Sequence, residues 1–211
     1  MKRILCILLM ALAGFSAWGQ KRVYLHKDEF RDDVYVIENN DGEVTAFVEL
    51  EVLSRFDSLF LVINKSNIDD VRSYMTELRD TYDAWSNIAK KNKVKNVKKS
   101  FSVESPEVQL RWAEQVKDSY SRFPVLRMKE RFSTKDKWLT PDFIITENGH
   151  ALISFDLRLK DTSGNPYHAR FFLSRREINH IIKWLDYDNL MRTYNKKKPK
   201  LTDQEIQALF Q

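Results

Sequence analysis

Cysteine is almost missing from this chain. The one cysteine, Cys6, lies in an apolar N-terminal run, so the remaining residues offer no disulfide and no thiol nucleophile. Glycine and proline are also scarce, 5 of each in 211 residues, which excludes a collagen-like or loop-dominated chain. There is no Gly-x-Ser-x-Gly elbow to present a serine nucleophile. No Gly-rich phosphate cradle and no dinucleotide fingerprint is present. The four histidines, His26, His150, His168 and His180, are scattered without metal-ligand spacing, and no cofactor is expected. Long hydrophobic runs are limited to Ile4–Phe15, too short to cross roughly 30 Å of hydrocarbon.

That run has the form of a secretory signal. Lys2 and Arg3 precede it, and Ala17-Trp18-Gly19 places small residues three and one before a cut. Met1–Gly19 is therefore expected to be removed before Gln20, leaving a periplasmic or secreted protein. A lipid anchor would need a cysteine just after the cut, and Gln20 stands there. The whole chain carries 35 Lys+Arg and 30 Asp+Glu, a net of +5; without Lys2 and Arg3 it is 33 against 30, or +3. So mild a balance, together with export, argues against nucleic acid as a partner. With 31% charged and 43% hydrophobic residues the composition is that of a folded domain rather than a disordered one. A domain of this size buries about 70% of its unfolded surface, enough to manage without disulfides.

Two stretches share one order of parts. Val34–Glu38 is apolar, Asn39-Asn40-Asp41-Gly42 is a turn signal, and Val44, Ala46, Val48, Leu50 and Val52 then alternate with Thr45, Phe47, Glu49 and Glu51. Period two with charges on the other face predicts a strand buried on one side. Leu59–Ile63 reads as a further strand. Ile68, Val71, Met75, Leu78, Tyr82 and Trp85 then recur at helical steps of three and four, with Asn64 or Ser66 as the expected N-cap. The second stretch, Asp142–Leu185, repeats this with Phe143–Ile145, Asn148-Gly149, Ala151–Leu159, Phe171–Leu173 and a helix opened by Ser174-Arg175-Arg176-Glu177. The expected fold is α+β: two βββα units with antiparallel sheets, helices packed on one face of each sheet, and a possible internal duplication. Residues 20–100 make the first unit with its Lys-rich end, and 101–190 the second with extra strands. Residues 191–211 follow as a basic linker and a short helix opened by Thr202-Asp203-Gln204-Glu205. Val23–Leu25 is a candidate edge strand. Val108–Tyr120 fits a strand over Val108–Ala113 and also a helix, and Phe123–Phe132 suits a strand.

Candidate binding residues fall in two places. Lys90, Lys91, Lys93, Lys95, Lys98 and Lys99 form a segment without an acid, read either as a solvated helix end and linker or as a contact for an anionic glycan or an acidic envelope protein. Trp85 and Trp184 lie on the apolar stripes of their helices, where core packing accounts for them. Trp138, between Lys135, Asp136, Lys137 and Leu139, is not accounted for by packing and is the best single candidate for a ligand or partner contact. Glu49 with Glu51, and Asp156 with Arg158 and Lys160, lie on polar strand faces; paired strand carboxylates serve glycosidase chemistry, and solvated sheet faces look the same. No catalytic residue and no metal ligand is assigned. Asn64-Lys65-Ser66 matches a glycosylation sequon.

The run Tyr82–Val94, ending in Trp85 and Ala89-Lys90-Lys91-Asn92-Lys93-Val94, resembles a pattern in uncharacterised signal-peptide-bearing exported proteins of Bacteroidetes-type bacteria. Val108–Trp112 and the Phe143–Gly149 hairpin follow in the same order. The resemblance implies export, the fold order and a strand rather than a helix at Val108–Ala113, and it implies no activity. The expected function is that of an exported, non-enzymatic binding or interaction module; the alternative is a glycan-directed hydrolase using sheet-face carboxylates.

Overall fold

A computed structural model describes residues 22–26, 34–39, 42–50, 57–116, 125–127, 141–160 and 166–198. The expected leader Met1–Gly19, Trp138, Glu51 and the Thr202–Glu205 capping box lie outside the described residues, as does all but 125–127 of the Phe123–Phe132 strand.

The fold is α+β with two antiparallel sheets. The strands are β1 (Arg22–His26), β2 (Val34–Glu38), β3 (Val44–Leu50), β4 (Asp57–Ile63), β5 (Val97–Ser100), β6 (Gln109–Val116), β7 (Val125–Arg127), β8 (Asp142–Ile145), β9 (Ala151–Lys160) and β10 (Pro166–Leu173). Helix α1 is Ile68–Lys91, α2 Arg175–Trp184 and α3 Tyr187–Lys197. The first sheet runs β1-β2-β3-β4-β6-β7, the second β10-β9-β8-β5. Both expected βββα units are present, as β2-β3-β4-α1 and β8-β9-β10-α2. Each sheet also has a leading strand, β1 or β5, paired antiparallel to the first strand of its meander. This shared order is what a duplication expects, and ordinary meanders produce it as well. The β6–β7 hairpin breaks the parallel, since β6 follows β5 in the chain but pairs with β4 of the first sheet. Gln109–Val116 is thus a strand rather than a helix, covering most of the strand expected over Val108–Ala113.

The meander hairpins are built alike. Asn39 N–H donates to the Glu43 carbonyl and Gly42 N–H to that of Asn39; Thr146 and Gly149 donate in the same pattern to His150 and Thr146. Gly42 and Gly149 sit at φ +81° and +80°, a region that a residue without Cβ enters at no steric cost.

One core joins the sheets and helices. Val36, Val48 and Leu61 of the first sheet belong to the same cluster as Ile153, Phe155 and Phe171 of the second. Val71 and Leu78 of α1, Ile178 and Ile181 of α2, and Leu190 and Tyr194 of α3 complete it. The helices therefore serve one face of each sheet, as expected. Helix α2 opens with the capping box that Ser174 and Glu177 predicted, the two residues exchanging side-chain and backbone bonds.

Four expectations need correction. Strand β3 is buried on both faces, because Tyr35, Ile37, Phe60 and Val62 from its neighbours gather around Phe47 in a second cluster, and even Glu49 is only 9% exposed. The N-cap of α1 is Asn67, which makes no side-chain cap bond; Asn64 instead accepts from the amides of Ser66 and Asn67, an Asx-type turn that leads into the helix. Past Leu185 a separate helix begins and runs on where a basic linker was expected from residue 191, and Asp186 caps its start by accepting from Asn189 N–H. Helix α3 therefore extends through Asn195–Lys197, read from sequence as linker. Finally, the Lys-rich segment is no simple linker. Lys93 and Asn96 take positive φ, of 52° and 53°, and turn the chain into β5.

Candidate functional site

The six lysines divide between four environments. Lys98 lies on the exposed edge strand β5 and pairs with Asp142 at 2.8 Å, while Ser100 donates to the same carboxylate. Burial opposes ionisation of Asp142, but Lys98 and Ser100 together hold its carboxyl below the usual range. Lys99 places its ammonium 3.9 Å from the centre of the Trp85 ring, a cation–π contact. Trp85 in turn packs on Phe101 and Phe143, at 5.0 and 5.5 Å between ring centres. Lys91, Lys93 and Lys95 are exposed. Lys98 and Lys99 thus sit on the exposed edge strand β5, where lysines disfavour edge-to-edge pairing, while Lys90, Lys91, Lys93 and Lys95 lie in the helix end and turn before it. Only Lys90 turns to a cavity.

That cavity is a cleft of about 920 Å³ between the second half of α1, the β8–β9 hairpin and the start of α2. The spacing on α1 builds one wall: Tyr82, Ser86 and Lys90 recur every fourth residue and so share one face. Tyr82 fixes that wall to the hairpin, its hydroxyl donating to the Ala151 carbonyl at 2.8 Å and its ring meeting Phe143 edge-on at 5.7 Å. Burial pushes the Tyr82 hydroxyl up from its ordinary value. Arg175, the first residue of α2, grips Asp83 with two hydrogen bonds of 2.6 and 2.8 Å. This fork holds the Asp83 carboxyl below its usual range. Ser86 is 7% exposed, and its Oγ has no hydrogen-bond partner of good geometry among the described residues. Its neighbouring hydroxyl is that of Tyr82, one turn back, so Ser86 Oγ keeps hydrogen-bonding capacity for a group in the cleft. Asn87, Thr146, Asn148 and His150 supply the remaining polar lining.

Sequence reasoning did not assemble this cleft, because its parts are far apart: Tyr82 and Ala151 are separated by 69 residues, Asp83 and Arg175 by 92. Of the sequence-predicted site residues it contains only Lys90. His150, which carried no special signal, lies on its rim. His26 and His180 meet at 5.1 Å between rings beside Trp184, although nothing in their spacing predicted it. Trp184 is 4% exposed and packs in the core as expected. No group of three or more His, Cys, Asp or Glu that could hold a metal ion is found among the described residues. Of the predicted strand carboxylates, Glu49 is buried on the first sheet and Asp156 pairs with Arg170 at 2.7 Å on the second, while Glu51 lies outside the described residues. Among the described residues no helix is long and apolar enough to cross a membrane. No protein-family model, curated protein or solved structure matches the chain. The likeness to exported Bacteroidetes-type proteins therefore rests on the quoted motifs alone.

Proposed function

We propose that the chain is an exported, non-enzymatic binding module, acting in the periplasm or outside the cell after cleavage near Gly19-Gln20, and that its ligand occupies the cleft between α1 and the β8–β9 hairpin. Export is supported by Lys2, Arg3, the apolar run Ile4–Phe15 and the small residues Ala17 and Gly19. The observation that carries the binding reading is the Ser86 Oγ, buried with spare hydrogen-bonding capacity against a cleft whose volume suits a small molecule. Asp83 is the one carboxylate lining that cleft among the described residues, and both its oxygens are committed to Arg175. The hydrolase alternative has one observation in its favour, that Asp70 and Glu107 line the same smaller pocket of about 370 Å³. Both are exposed, away from the dry surroundings that prepare a general acid. Reducing-sugar release abolished by Asp70→Asn would favour that alternative.

A thermal-shift screen of the purified protein against mono- and disaccharides, sugar acids, amino acids and nucleotides tests the binding reading. At least one compound should raise the melting temperature, and Ser86→Leu, which fills the cleft floor, should abolish that shift. A screen with no shift, or a shift untouched by Ser86→Leu, would remove the cleft as the binding site.

A further inference from the structure

We infer that the cleft is an oxyanion site: its ligand carries a carboxylate or phosphate group, bound by Ser86, Lys90 and Arg175, with Arg175 shared between that ligand and Asp83. This rests on the binding reading above and narrows it to one chemical class.

The inference starts from what the cleft leaves unused. Lys90 lies one turn beyond Ser86; it closes no salt bridge among the described residues, and its charge acts on Asp83 only at longer range. Thr146 Oγ1 already accepts the His150 amide at 3.0 Å, so its own proton is left to donate elsewhere. Ser86 Oγ has no close hydrogen bond of good geometry and shares its proton only loosely with the Tyr82 hydroxyl one turn back, so it can serve a group in the cleft. Opposite them, α2 begins at Arg175, which brings the positive end of its dipole to the cleft wall. Two cations and the Thr146 hydroxyl thus border the cleft beside one lining carboxylate, Asp83, whose two oxygens are taken; the α2 start is already served by its own Glu177 cap and by Tyr82, which accepts from the Arg175 amide. A neutral polyol would use the hydroxyls and leave the charge unmatched. An oxyanion meets all of these groups at once, with charge-assisted bonds roughly twice the strength of neutral ones.

The Asp83–Arg175 fork already places one carboxylate on the guanidinium. An incoming oxyanion competes with Asp83 for the guanidinium. Asp83 therefore weakens binding while it keeps Arg175 aimed, a feature that a neutral-ligand site would not show.

Isothermal titration of the purified protein with glucuronate, inorganic phosphate and glucose tests this. Glucuronate and phosphate should bind, with glucose about tenfold weaker or more, the loss of one charge-assisted bond. Lys90→Gln should weaken glucuronate by a similar factor, whereas Lys65→Gln, exposed ahead of α1 and outside the cleft, should not change it. Asp83→Asn should tighten phosphate binding by freeing Arg175, and added salt should weaken it. If glucose binds as tightly as glucuronate through a Ser86-dependent site, the cleft stands as a binding site and the oxyanion class is overturned. If Lys90→Gln leaves glucuronate unchanged, the class is likewise overturned. If no probe binds, or none depends on Ser86, both inferences fall.

Discussion

The tether from Tyr82 to Ala151 holds the cleft together, and its strength is open to measurement. Tyr82→Phe removes one oxygen and keeps the ring on Phe143. The Ala151 carbonyl then loses its partner in a half-buried position. A neutral hydrogen bond of this kind contributes about 0.5–1.5 kcal/mol net, so a loss near 1 kcal/mol is expected. For a chain of this size that is a fall of about 2–4 °C in melting temperature. Tyr82→Ala removes the ring as well. Tyr82 is only 7% exposed, so the cavity should bring the total to about 3–5 kcal/mol. Urea unfolding followed by far-ultraviolet circular dichroism would give both values, with an unchanged dependence on urea showing that the unfolded states are alike. Amide exchange gives a local readout, since Tyr82→Phe should speed exchange in the β8–β9 hairpin more than in the β2–β3 hairpin. Equal exchange in both hairpins and an unchanged unfolding midpoint for Tyr82→Phe would refute the tether. A Tyr82→Phe loss as large as that of Tyr82→Ala would refute the division between ring and hydroxyl.

Two pH predictions follow from charged and chargeable groups elsewhere. Tyr74 is 3% exposed, and burial drives its hydroxyl far above the ordinary value near 10. The folded state keeps a proton that the unfolded chain releases, so stability is full below about pH 10 and falls above it by about 1.4 kcal/mol per pH unit. Urea midpoints at pH 9, 10 and 11 should fall less steeply for Tyr74→Phe, and parallel slopes would sink the assignment. At the other end of the molecule, the Glu38 carboxylate accepts from Lys198 at 2.5 Å and from Tyr194 at 2.6 Å, and these bonds hold its pKa below the usual value. Stability from Glu38 is therefore present above the unfolded carboxyl range and lost as pH falls through the lowered folded value. Glu38→Gln should flatten the acid limb of a midpoint-against-pH curve, and an unaltered limb would show that the contact contributes nothing.

Local pattern carried much of the fold. The alternation in β3 and β9, the helical steps of α1, the glycines at φ near +80° and the Ser174 capping box each depend on residues close in sequence, and each was legible there. What escaped depended on distant partners. Strand β5 has four exposed residues, Val97–Ser100, with no apolar alternation to announce it. It exists because β8 offers backbone partners and Asp142 a counter-charge. The second face of β3 was read as solvated because Glu49 and Glu51 flank it, but Tyr35 stacks on Phe47 at 4.8 Å and Phe60 meets Tyr35 edge-on at 5.3 Å. Aromatic partners from β2 and β4 decide that face, and no window within β3 contains them. Of the site, the sequence marked Lys90 and little else, because it drew attention to a run of like charge rather than to the one lysine at the right turn of the helix.

The place of the cleft follows from a mismatch of lengths. Helix α1 has 24 residues, about 36 Å at 1.5 Å per residue. Strand β4, which feeds it, has seven, about 24 Å at 3.4 Å each. The helix thus extends well past the span of its own meander. Its later turns bring Tyr82 and Trp85 onto Phe143 and Phe101 of the other unit, and they carry Ser86 and Lys90 to the β8–β9 hairpin. The matching helix of the second unit, α2, has ten residues, about 15 Å, and stops before it can reach the first unit's hairpin in the same way. Units alike in strand order therefore form an unlike joint. A cleft made by the longer helix against the other unit's turn belongs to neither unit alone, and the alternations and helical steps that fold each unit do not mark it.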